Sequence, residues 1–106
     1  MLGIYKTTEG RIVETDKMEK DTWINLANPT AEEINLVIDT LSIEPEFIYA
    51  ALDEEETSHI DSEEGNTLII VDIPYPETRE HGVIQYCTIP LGIIITNENI
   101  ITVCLK

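Results

Sequence analysis

Basic residues are scarce in this 106-residue chain: six Lys plus Arg stand against twenty-one Asp plus Glu, a formal net charge of -15. A surface so anionic repels phosphate backbones and has no basic stripe, so nucleic acid is excluded as a partner. An anionic membrane surface is repelled for the same reason. Cations and basic proteins are the partners the charge favours; the plain alternative is a solvated, solubilising surface. Cysteine is nearly lacking too. Cys87 and Cys104 sit in apolar stretches with no CxxC or CxH spacing, which signals neither zinc nor a disulfide framework. His59 and His81 lie in polar surroundings and read as ordinary surface histidines. No apolar run approaches the roughly 20 residues of a membrane helix. The opening MLGIYKTTEG lacks the basic and apolar regions of a signal peptide. Gly-rich phosphate loops, GxSxG elbows and HExxH helices are absent, so no enzyme chemistry is signalled. Carboxylate pairs in so acidic a chain carry no such signal.

What is present is a strand–helix–strand pattern in a single domain, residues 1–106. Ile4-Tyr5 and Ile12-Val13 flank a Thr8-Glu9-Gly10 turn and predict a hairpin. Trp23-Ile24-Asn25-Leu26 predicts a further strand. After Pro29, Thr30 and Glu33 have the spacing of a capping box, in which each side chain satisfies a free N–H at the helix start. Ile34, Val37, Ile38 and Leu41 follow at helical spacing as one apolar stripe. Pro45 suits the first turn of a second helix, with Phe47, Ile48, Ala51 and Leu52 on its buried side. His59-Ile60-Asp61 reads as an edge strand and Glu64-Gly65-Asn66 as a turn. Leu68–Val71 reads as a central strand stopped by Pro74 and Pro76, followed by a polar loop over 77–82. Val83–Ile89 is another strand, with a bulge or break at Pro90 and Gly92. Ile93–Thr96 and Ile100–Val103 make a hairpin around Asn97-Glu98-Asn99.

The strands at 68–73, 93–96 and 100–104 are apolar at successive positions. Strands of that kind have both faces covered, whereas the two helices suffice for one. The expected fold is α/β (α+β): a mixed sheet with a helical layer on one face and a second helical layer missing. Strand propensity alone is the bland alternative. The expected core is Trp23, Ile34, Val37, Ile38, Leu41, Phe47, Ile48, Ile69, Val71 and Ile94.

The order of these motifs resembles the N-terminal cytosolic domain of CorA-like divalent-cation transporters. Trp23-Ile24-Asn25-Leu26 with Pro29-Thr30-Ala31-Glu32-Glu33 is similar to that family's W-I-D/N-L … P-T-x-E-E opening. Leu41-Ser42-Ile43-Glu44-Pro45 is similar to its F-G-I-x-P. Ala51–Glu56, His59–Asp61, Leu68–Pro74, Pro90–Thr96 and Ile100–Val103 follow in the family's order, so the resemblance covers about residues 20 to 104. It implies a sheet between two helical layers, then a stalk helix and two membrane helices with a Gly-Met-Asn signature. It also implies a homopentamer that passes magnesium, with this domain on the cytoplasmic face of the membrane and unable to transport alone. The membrane is then reached only through segments beyond this chain, and the isolated fragment is expected to dimerise. Where many members carry a metal-binding Asp, ungapped alignment places Ala50, so no family ligand is carried over. The local candidates for a weak magnesium site are Asp53, Glu56 and Asp61, with Glu54 and Glu55 between them; a solvated acidic loop is the alternative. No tightly bound cofactor is expected. The alternative function is a free-standing acidic module that binds a basic protein.

Overall fold

The computed structural model describes residues 1–106. Seven strands and two helices follow in the order β1 (Leu2–Thr8), β2 (Arg11–Glu14), β3 (Thr22–Ala27), α1 (Ala31–Leu41), α2 (Pro45–Ala51), β4 (His59–Glu63), β5 (Asn66–Thr78), β6 (Ile84–Ile95) and β7 (Asn99–Cys104). They form one mixed sheet in the order β2-β1-β3-β7-β6-β5-β4. Only β3 and β7 pair in parallel; every other neighbouring pair is antiparallel. This is the expected α+β arrangement, with both helices on one face. Neither helix is long and apolar enough to cross a membrane.

The capping box forms as the sequence predicts. Thr30 Oγ1 accepts from the Glu33 N–H at 3.1 Å, and Glu33 Oε1 accepts from the Thr30 N–H at 2.9 Å. Glu33 does more than cap. Its Oε2 accepts from the Leu2 N–H at 2.8 Å, and the Met1 ammonium stands 3.3 Å from Oε1. One carboxylate therefore pins the start of β1 to the start of α1. The Thr30 N–H, then the Met1 ammonium and the Leu2 N–H, hold the Glu33 carboxyl below the usual carboxylate range, against partial desolvation. α1 ends at Ser42, whose left-handed backbone (φ 54°) turns the chain toward α2. Glu44, just before α2, accepts from the Asn66 side chain at 2.9 Å and ties that helix to the start of β5.

The core lies in two registers of the sheet. Ile4, Ile24, Ile101, Ile94 and Leu68 stand side by side across five strands. Leu2, Leu26, Val103, Gly92 and Ile70 form the next row. Ile34 and Val37 of α1 and Phe47, Ile48 and Ala51 of α2 close over them. Ile38 and Leu41 are partly buried at the margin of this cluster.

Three expectations require correction. Trp23, Ile69 and Val71 are not in this core. They alternate with core residues along their strands and point to the opposite face, where Trp23 is 39% and Val71 37% exposed. Where successive positions are all apolar, the pattern does not reveal which parity faces the helices. Second, Pro74 and Pro76 do not stop β5, which pairs with β6 out to Thr78. β4 leaves β5 after Ile70, so both prolines lie on an open edge where an N–H is not required. The loop is correspondingly shorter than 77–82, with a single tight turn at Glu80–Gly82. Third, β6 runs unbroken through Pro90 and Gly92. Pro90 lies one residue past the last β7 partner, Leu91, and thus also at an edge. Gly92 serves close approach: a methyl built there would collide with that of Ala51.

Candidate functional site

The acidic turn follows directly from α2. In its last turn the carbonyls of Tyr49 and Ala50 accept from the Leu52 and Asp53 N–H groups. The carbonyl end of a helix carries partial negative charge, and no basic residue stands in the last turn to offset it. Asp53 Oδ1 accepts from the Glu55 N–H at 3.0 Å, which folds the turn back on itself. Glu56 Oε1 lies 3.3 Å from the Thr57 N–H and 3.6 Å from His59 Nδ1. Asp61 stands apart on the edge strand β4, exposed, opposite Leu68. Asp53 and Glu56 thus share a turn. No three His, Cys, Asp or Glu side chains of the chain are grouped as a metal cage would require. Ala50 is half-buried on α2 and offers no donor. His81 is exposed in the 80–82 turn, away from the acidic cluster.

The second feature is the face of the sheet turned away from the helices. Tyr5, Trp23, Ile100 and Ile95 form one row across β1, β3, β7 and β6. Asn25, Thr102, Ile93, Ile69 and Ile60 form the next. Cys104, Leu91 and Val71 form a third. No element of the structure covers these rows, and Ile95 and Ile100 are 40% and 48% exposed. Contiguous apolar surface of this kind marks a contact region. Cys87 and Cys104 are free thiols, half-buried on this side. Cys87 belongs to the β5–β6 arm that extends past the rest of the sheet. There the Cys87 thiol, then Arg79 and Lys106, hold the Glu77 carboxyl below its ordinary range. The Lys106 ammonium also stands over the Tyr75 ring at 4.7 Å.

No family model matches the chain, and no curated protein matches it in sequence. Solved structures do. The chain superposes on the CorA magnesium transporter of Methanocaldococcus jannaschii with a TM-score of 0.75 and 22% identity, over 100% of this chain and 32% of that one. Against the soluble domain of CorA from the same organism the TM-score is 0.77 with 23% identity, over 98% of this chain and 40% of that domain. The fold is that of part of the CorA soluble domain. At this identity the likeness concerns the fold. The chain spans well under half the length of either relative. The sheet accounts for both parts of the sequence pattern: the buried rows under α1 and α2, and the uncovered apolar rows on the other side. The open face, which the apolar strands at 68–73, 93–96 and 100–104 announced, carries exposed Trp23, Val71, Ile95 and Ile100. Its assignment to particular residues was missed through the parity error at Trp23, Ile69 and Val71.

Proposed function

We propose that this chain is a cytosolic structural and regulatory domain of a CorA-like magnesium transport protein, and that it does not carry ions by itself. The observation that supports this reading is the whole-chain match to the CorA fold combined with a sheet whose second face is apolar and open. A further helical layer of the same protein covers that face on this reading. Lys106 already lies against Tyr75 and Glu77, on the side of the open rows. The matched soluble domain is more than twice the length that this chain occupies, which leaves room for such a layer. The free-standing acidic module gains nothing from the comparison.

Magnesium is the cargo of the whole protein and a weak ligand of this domain. Magnesium keeps most of its waters and needs only one or two carboxylates. Asp53 and Glu56, beside the carbonyl end of α2, contribute to a diffuse attraction for such an ion rather than a defined site, with Asp61 a more distant contributor. The whole protein is a membrane-spanning homo-oligomer, with this domain at the cytoplasmic face. The isolated chain self-associates through its open face.

The coding sequence after Lys106 tests this reading. A long charged helix, two apolar segments of about 20 residues and a Gly-Met-Asn signature are expected. A stop codon directly after Lys106 would overturn it.

A further inference from the structure

Beyond the rest of the sheet, β5 and β6 continue alone as a two-stranded ribbon. β4 leaves β5 after Ile70, and β7 leaves β6 at Leu91. The two strands stay paired out to Thr78 and Ile84. Along Ile84–Ile89 the outer side of β6 therefore has no neighbouring strand. Alternate backbone N–H and C=O groups point away from the ribbon there, unpaired. Pro90 has no N–H with which to continue the ladder to β7. Leu105 and Lys106 do not extend β7 along this edge. The Lys106 side chain instead crosses the open side of the ribbon to Tyr75 and Glu77 on β5.

Native sheet edges are ordinarily guarded by charge, by proline or by shortness. The other free edges of this sheet are. β2 is four residues long and carries Arg11 and Glu14. β4 is five residues long and carries Asp61 and Glu63. The free side of β5 is interrupted by Pro74 and Pro76, with Asp72 and Glu77 beside them. The β6 edge differs. Ile84-Gln85-Tyr86-Cys87-Thr88-Ile89 contains no charge, no proline and no glycine, in a chain of net charge -15. Its β-branched and aromatic residues favour an extended strand, and Ile84 and Tyr86 are 60% and 69% exposed. A two-stranded ribbon is also marginal by itself in water, and further strands stabilise it.

We propose that Ile84–Ile89 of β6 pairs antiparallel with the same segment of a second copy, joining two ribbons into one four-stranded sheet. Strand addition of this kind draws its affinity from main-chain hydrogen bonds, which the free edge supplies. Charge points to the same place. Two copies of so acidic a chain repel over most of their surface, and a segment without carboxylates is where they approach at least cost. The contact is self-complementary about a two-fold axis. An axis normal to the sheet keeps like faces together, so residues of equal parity meet. Near the middle of the segment this sets Tyr86 or Cys87 beside its own copy. The pairing uses an edge and neither face, so a further layer over the open rows does not obstruct it. It does not depend on the transport reading.

Cross-linking through Cys87 reads this contact. The probe is a short bis-maleimide added to the full chain carrying Cys104→Ser, which leaves Cys87 as its one thiol. A covalent dimer is expected, in a yield that rises with protein concentration. Tyr86→Lys and Thr88→Lys should each lower that yield by at least about fivefold, because a lysine on an edge blocks strand addition. Both residues are exposed, so the ribbon tolerates the changes, and circular dichroism checks that the variants remain folded. Pro76→Lys, opposite Tyr86 on the guarded side of the ribbon, should leave the yield unchanged. Amide hydrogen exchange over residues 84–89 should slow as protein concentration rises. The cross-link should persist in Ile95→Lys, which alters the open face and not the edge. Equal yields with and without Tyr86→Lys would overturn the proposal. So would loss of the cross-link in Ile95→Lys, which would make it a by-product of the open face. Slow exchange at 84–89 that is independent of concentration would overturn it too, because the chain's own residues would then cover the edge.

Discussion

The methyl of Ala51 on α2 stands directly over Gly92 on β6, in the space that any side chain at 92 would need. Gly92 sits between Val103 and Ile70 in the second core row, so this contact sets how closely the helix approaches the middle of the sheet. Gly92→Ala should therefore destabilise the domain by about 1–3 kcal/mol, the cost of overpacking a filled core. Urea unfolding measures this, and an unchanged midpoint would contradict the contact.

Depth within the core should grade the cost of truncation. Ile48 is fully buried on α2, whereas Ile38 is only partly buried at the margin. Ile48→Ala should cost about 2–5 kcal/mol, and Ile38→Ala clearly less. Against a margin of about 5–15 kcal/mol for a whole domain, the first is a severe loss. Equal costs from parallel denaturation curves would show that α1 and α2 share the core differently.

Two adjacent isoleucines on β6 test the two faces. Ile94 is fully buried beneath the helices and Ile95 is 40% exposed on the open side. Ile94→Lys should unfold the domain, because it buries a charge without a partner. Ile95→Lys should leave the fold intact and suppress self-association. Sedimentation at low and high salt reads this out. Association of the native chain should tighten with salt, as the repulsion of its net charge is screened. A native chain that stays monomeric at both salt concentrations would contradict an adhesive open face.

Glu33 should shape the acid limb of stability. Its carboxyl is held below its ordinary value of about 4.5 in the folded chain, chiefly by the Thr30 N–H. A group lowered on folding contributes stability that is present above its unfolded pKa and lost as pH falls through the folded one. The Glu33 contribution should thus be constant above about pH 5 and fade below 4.5. Glu33→Gln should be less stable than the native chain near neutral pH, and the difference should narrow in acid. A difference that persists unchanged at pH 3 would show that the capping geometry, not the charge, matters.

Much of this was legible in the sequence. Thr30 and Glu33 announced α1, Pro45 announced α2, and the turns at Glu9-Gly10 and Glu64-Gly65 announced their hairpins, because each depends on neighbours in the chain. The apolar runs announced a sheet with two apolar faces. They could not reveal parity, which is why Trp23, Ile69 and Val71 were assigned to the wrong side. The prolines of the β5–β6 arm misled because an edge tolerates them and a central strand does not. The neighbourhood of Trp23 was not legible at all. The parallel pairing of β3 with β7 brings Trp23 beside Ile100, and no local pattern signals a contact between segments so far apart.

Calorimetry separates diffuse magnesium attraction from a defined site. Roughly millimolar, unsaturated binding is expected, and Asp53→Asn with Glu56→Gln should alter it only slightly. One micromolar site abolished by that pair of changes would contradict this.

The most direct measurement is magnesium uptake by vesicles that contain the product of the whole gene. Uptake that depends on the intact protein is expected, with none from residues 1–106 alone. Vesicles that hold the folded full-length protein and take up no divalent cation would contradict the transport role.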